Sequence, residues 1–236
     1  RKNTATPIDF DAFVCGEDRS VTTAFQRLSR SLRATWGRMV SPLQHGQRHQ
    51  QACDACENGL RQWVEVQARQ FPQWNEIPAI IDLAKAHTKG RRDNGELGFI
   101  HPLRVAGAMT ALLDQCGGTG AHLPTDEAVS LIKIALCHNL LETETIQRAS
   151  LRDYIGKRAE ASVYLISNQY TGPHGGLIQK SPAQIIADQK KDPLALLVRF
   201  GERSHNLLTM VDIDRAGILR GITYTPAQQR AKLEDA

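Results

Sequence analysis

The chain has 236 residues, 41% of them hydrophobic and 23% charged, with five cysteines and a formal net charge of +4. These fractions exclude a disordered chain, and no apolar run approaches the ~18 residues needed to cross a bilayer. A charge this mild does not by itself argue for nucleic acid, which is not an expected partner.

The first residues, RKNTATPIDFDAFVCGEDRS, hold no apolar run of the kind a secretory signal needs. Five cysteines, at 15, 53, 56, 116 and 137, make an odd and scattered set. That argues against a disulfide framework and for a reducing, cytoplasmic setting.

In chain order, Val21, Phe25, Leu28, Leu32 and Trp36 recur at intervals of three and four, one face of an amphipathic helix that Arg27, Arg30, Arg33 and Arg38 mostly avoid. The same period runs from about 47 to 71 through Cys53, Cys56, Leu60, Trp63 and Val64, and Pro72 ends it. Pro78 can open a helix to His87, because a first-turn proline loses no hydrogen bond. GRRDNGELG (90–98) reads as a loop. Pro102 opens a helix to about Cys116, closed by Gly117 and Gly118. Thr125 can cap a helix over 126–141, with Asp126 and Glu127 in its first turn. Ser150 and Asp153 suggest a capping box for a helix reaching Ser167. Residues 168–181 form the longest loop signal, of the kind that often serves as a lid. The last strong helix starts near Pro193 and reaches Met210. No stretch alternates convincingly enough for a strand, so the expected class is all-α, with an N-terminal helical extension over 1–75 and a main helical domain over 76–236.

Two groups of residues can carry chemistry. His45, His49, Cys53 and Cys56 have the residue types of a zinc site. On one straight helix, however, they span about 16 Å, and the two cysteines fall on the apolar stripe, so core packing is the expected role. The second group is His101 at a helix start, His138 and Asn139 at a helix end with Glu142 one turn on, and FGERSHN (200–206) on an otherwise apolar helix. Polar groups set into an apolar helix need partners. Two histidines and a carboxylate from three helices suit a divalent ion such as manganese, iron or zinc.

Three stretches carry a resemblance: AKAHTKGRRDNGELGFIHPLRVAGAM (84–109), IALCHNLLETET (134–145) and LLVRFGERSHNLLTM (196–210). In order and spacing, residues 80–210 resemble the HD-type hydrolase domain of the RelA/SpoT family and its small single-domain relatives. That resemblance implies an HD-domain-like helical bundle that binds manganese and removes the 3′-pyrophosphate from guanosine tetra- and pentaphosphate. It places His101, His138, Asn139 and Glu202 at metal-ligand positions, with Asn139 and Glu202 standing where the family has Asp. Glu142 matches the first of two acids that handle the attacking water, and Thr143 replaces the second. Arg92 matches an Arg of the nucleotide loop, and Arg203, His205 and Asn206 keep their places in the last motif; with Arg91 on the same charged loop, Arg91, Arg92, Arg203 and Asn206 are the expected substrate-binding residues. Asp93 stands where a base-contacting Lys is usual, and Gly98 where an aromatic residue is.

Asn139 removes a full negative charge from the ligand set, which weakens the hold on a hard divalent ion. Three readings stay open. One is a divergent metal-dependent phosphohydrolase acting on a phosphorylated guanine nucleotide, ranked first. The second is a degenerate domain that binds an alarmone or a partner protein. The third is an active enzyme in which Asn139 is an introduced change. Residues 1–75 are a candidate surface for a protein partner.

Overall fold

The computed structural model describes residues 47–219, apart from 93–95, 119–121, 144 and 173–174, and side chains within 50–206 of that span. The expected helix over Val21–Trp36, with its arginines, and the positions of His45, the His49 side chain and Asp93 lie outside the described residues, as do 1–46 of the expected extension and 220–236 of the main domain.

The described residues are mostly helical. Helix α1 (Gln47–Ala68) turns its Cys53–Cys56–Leu60–Val64 stripe inward. The cysteines are therefore core residues, as their helical spacing indicates. Pro72 opens a 3₁₀ turn (Pro72–Glu76) that buries Trp74 edge-on against Trp63, with ring centroids 5.0 Å apart. Helix α2 (Ile77–His87) carries Pro78 in its first turn and buries Ile77, Ile80, Ile81 and Ala84. The boundary expected at residue 75 thus runs through one continuous core, since α1 and Trp74 belong to the same apolar cluster as the later helices.

Helix α3 (Ile100–Gln115) begins two residues before Pro102. It closes where expected, with Gly117 and Gly118 at φ 89° and 87° and the Gly118 N–H donating to the Leu113 carbonyl. Helix α4 (Thr125–Cys137) is central: it packs against α2, α3 and two later helices, and nine of its residues are buried. It differs from expectation at both ends. Pro124 holds the N-cap position, its carbonyl taking the Glu127 and Ala128 N–H groups, and Thr125 is already helical. At the other end the helix stops at Cys137, and the chain tightens into a 3₁₀ turn, Leu140–Glu142.

Helix α5 (Arg148–Ile166) starts before Ser150, so Ser150 caps nothing; Gln147 is the N-cap, and Gly156 breaks the helical path at φ 85°, ψ 159°. The segment expected as pure loop contains a small antiparallel hairpin, β1 (Gln169–Thr171) with β2 (Leu177–Gln179), in the register Tyr170 opposite Ile178. Three-residue strands with no alternation of burial give no period-2 signal. Helix α6 (Pro182–Gln189), absent from the sequence expectation, is capped by the Ser181 hydroxyl, which accepts the Gln184 N–H at 3.2 Å. Helix α7 (Pro193–Leu219) runs nine residues past Met210. The Asp192 carboxylate accepts the Leu194 N–H at its start and takes two bonds from Arg158 of α5, whose Nε reaches Glu127 of α4. Among the described residues, no helix is long and apolar enough to cross a membrane.

Candidate functional site

The site forms where the start of α3, the end of α4 and the second turn onward of α7 meet. The loop before α3 is held in place by its own backbone: Arg92 N–H donates to the Glu96 carbonyl at 2.8 Å, and Gly98 N–H to the Gly90 carbonyl at 2.9 Å. Two side-chain contacts fix it to the helices. The Glu96 carboxylate accepts two bonds, 2.8 and 3.0 Å, from the buried Arg104 of α3. Arg92 Nη2 donates to Asn206 Oδ1 of α7 at 2.9 Å. Gly90, at φ 87°, makes the turn that brings the loop back.

Three histidines line up behind this loop. His101 Nε2 lies 3.0 Å from His138 Nε2, and His101 Nδ1 lies 2.8 Å from His205 Nδ1. His101, His138 and His205 are 5%, 2% and 1% exposed. Burial holds all three below the ordinary imidazole range; His205 and Arg92 push His101 further down, Arg92 does the same to His205, and Glu202 partly offsets the effect at His138. Neutral rings carry one proton each. His138 Nδ1 is 2.7 Å from the Ala135 carbonyl, so its proton sits there and Nε2 presents a lone pair. The protons then order themselves along the row: His101 Nε2–H donates to His138 Nε2, and His205 Nδ1–H donates to His101 Nδ1.

The carboxylates are partnered as well. Glu202 Oε2 accepts from Arg199 Nη1 at 2.6 Å, and Oε1 from Asn206 Nδ2 at 3.1 Å. Arg199 Nη2 continues to Asn168 Oδ1 at 2.8 Å. Asn168 N–H donates to Glu142 Oε1 at 2.6 Å, and Gln169 Nε2 to the Glu142 carbonyl at 2.9 Å. Burial raises the Glu142 carboxyl above its ordinary value; the Asn168 N–H opposes that rise, and Glu202 adds to it.

Of the expected site residues, His101, His138, Glu142, Glu202, Arg92 and Asn206 come together. Arg203 lies on the same helix, its charge lowering the Glu142 carboxyl. Arg91 is exposed on the loop, bridged to Leu97 through the backbone. Asn139 is half-buried beyond the end of α4, and its carbonyl accepts the Glu142 N–H at 3.1 Å. The Thr143 hydroxyl closes its own turn, donating to the Leu140 carbonyl at 3.0 Å and meeting Thr145 at 2.7 Å. Three contributors go beyond the expected set. Arg199 and Arg104 each stand three residues from a site residue on the same helix, a spacing visible in sequence. Asn168 has no such signal, because a loop residue is placed only by tertiary structure.

The four residues expected to hold manganese do not fit a metal centre as they stand. The Nε2 atoms of His101 and His138 face each other, the Glu202 oxygens accept from Arg199 and Asn206, and position 139 supplies a neutral amide. Among the described residues, no group of three or more His, Cys, Asp or Glu side chains is arranged to hold a metal ion. A groove of about 530 Å³ lined by Glu76, Ile80, Asp82, Leu83, His87 and Tyr154 shares no residue with the cluster.

In comparisons with known proteins, no family model matches the chain, and neither a curated protein nor a solved structure does.

Proposed function

We propose that this chain is an HD-type domain that binds a phosphorylated guanine nucleotide of the guanosine tetraphosphate class and turns it over slowly or not at all. The class of ligand comes from the resemblance over 80–210. The weakness of turnover rests on one observation, that both oxygens of Glu202 are occupied, by Arg199 and Asn206. With Asn139 uncharged and the charge of Glu202 shared with Arg199, the set holds two imidazoles and one partly neutralised carboxylate, a poor set for hard ions that prefer oxygen ligands.

Cationic groups support binding of an anion here. Arg92 stands on the loop beside the buried, neutral histidines, Arg91 is its exposed neighbour, and Arg203 stands on α7 near Glu142. The His101–His138 pair favours a second reading, a working hydrolase: two Nε2 atoms 3.0 Å apart, one oriented by a backbone carbonyl, are the start of a ligand set.

Titration calorimetry with guanosine tetraphosphate, in the presence of a chelator, tests the binding. Saturable binding is expected, weakened roughly tenfold or more by Arg92→Ala, since one hydrogen bond to a charged group is lost. Heat changes indistinguishable from dilution would refute it.

A further inference from the structure

We infer that Arg199 and Asn168 are positioning residues that bracket the site's two carboxylates, so that one guanidinium sets Glu202 directly and Glu142 through the hairpin. The two acids come from different elements, the 3₁₀ turn after α4 and the middle of α7, and no hydrogen bond joins them directly among the described contacts. Arg199 and Asn168 connect them. One arm of the guanidinium holds Glu202 at 2.6 Å and the other reaches the Asn168 side-chain oxygen at 2.8 Å. The backbone N–H of that same Asn168 holds Glu142 at 2.6 Å.

The geometry calls for these two residue types. A planar guanidinium presents donors in a fixed fork, so holding one partner fixes the direction in which the other is met; a lysine ammonium gives no such direction. Asn168 uses three separate groups on three elements: its N–H on Glu142, its side-chain oxygen on Arg199, and its carbonyl on the Lys180 N–H at 2.9 Å, which closes the base of the hairpin. Lys180 is itself anchored, its Nζ donating to the Tyr164 carbonyl and pairing with Asp188 at 3.1 Å. The hairpin is therefore tied to α5 and α6 on one side and to the acids on the other. A shift of the hairpin base moves Glu142 and releases one arm of Arg199.

The relevance of the bracket to a ligand rests on the function proposed above, whereas its existence does not, and two readouts keep these apart. The first is the side-chain NMR spectrum of ¹⁵N,¹³C-arginine-labelled full chain without ligand. Arg199 is expected to show slowly exchanging guanidinium protons in the wild type and in Asn168→Asp, which keeps the acceptor. In Asn168→Ala the Nη2 protons, which lose their acceptor, are expected to exchange fast while the Nη1 protons held by Glu202 stay; Asn168→Ser, too short to reach, replaces that variant if it does not fold. The exposed hairpin variant Leu177→Ser is the control and leaves the signals in place. The second readout is guanosine tetraphosphate affinity, expected to fall roughly tenfold in Asn168→Ala and to recover in Asn168→Asp, the loss of one hydrogen bond to a charged group. Arg199 signals that are the same in the alanine variant and the wild type overturn the bracket. Signals that change as expected while no variant, wild type included, binds nucleotide uphold the bracket and refute the ligand.

Discussion

His101 and His138, 37 residues apart in sequence, meet Nε2 to Nε2 at 3.0 Å, with His205 closing on the other nitrogen of His101 at 2.8 Å. A row of three buried imidazoles can share its protons in this order only while His101 and His138 stay neutral: a second proton on either turns its acceptor nitrogen into a donor facing a donor. The consequences reach stability as well as function.

The first concerns pH. All three histidines are held below the ordinary imidazole value in the folded chain, mainly by burial. The unfolded chain therefore binds more protons than the folded one as pH falls through about 6.5, and stability falls with it. Glu142, whose carboxyl is raised, acts in the opposite sense, but as one group against three and nearer the carboxylate range. The melting temperature is expected to drop between pH 7.5 and 5, by roughly 2–4 °C for each kcal/mol lost in a chain of this size. His205→Phe is expected to shallow the slope. Thermal melts across that range that show a flat profile would contradict the neutral row.

Cysteine chemistry offers an independent check on the core. Burial pushes the Cys137 thiol up to about 12 and the Cys53 thiol, with help from Cys56, up to about 11. Neither is a nucleophile at pH 8. Among the four cysteines in the described residues, Cys116 is the half-buried one and is expected to alkylate first in native protein. Cys53, Cys56 and Cys137 are expected to react only on unfolding, as read by mass spectrometry of labelled peptides. Rapid native labelling of Cys137 would mean that the α4 core is open.

Asp192 carries more of the fold than its place between Lys191 and Pro193 suggests. It is buried, accepts two bonds from Arg158, meets the Ser162 hydroxyl and caps α7 through the Leu194 N–H. Arg158 in turn pairs with Glu127, so α4, α5 and α7 meet at one guanidinium. Asp192→Ala removes a cap and one partner of a half-exposed guanidinium that keeps Glu127 and solvent, at a cost of about 2 kcal/mol. Urea unfolding measures this directly, and a loss under about 1 kcal/mol would show the network to be dispensable.

The helices are legible in the sequence where period and punctuation agree. Pro78, the Gly117–Gly118 pair and the 53–56–60–64 stripe each mark a local preference that tertiary packing reinforces. Legibility fails where tertiary contacts decide. Ser150 has the right spacing for a capping box, yet the helix begins at Arg148, and Gly156 kinks it from within. The hairpin's strands are too short to alternate, and its place is set by Lys180 and Asn168 rather than by its own sequence. At the site, the histidines and Glu142 are visible as polar residues on apolar helices. The partners of Glu202 are not, since they depend on how α7 lies against the hairpin. Nor is the contact of Thr143 visible, since it takes the 3₁₀ turn to offer its hydroxyl a carbonyl one turn back.

The most direct measurement is release of pyrophosphate from guanosine tetraphosphate with manganese present, for the wild-type chain beside Asn139→Asp. The substitution restores a carboxylate beside His138 and completes a set of two imidazoles and two carboxylates. The wild type is expected to bind the nucleotide with little or no release, and the Asn139→Asp variant to release pyrophosphate at a clearly higher rate. Release by the wild type as fast as by the variant would contradict the claim that the ligand set limits this site.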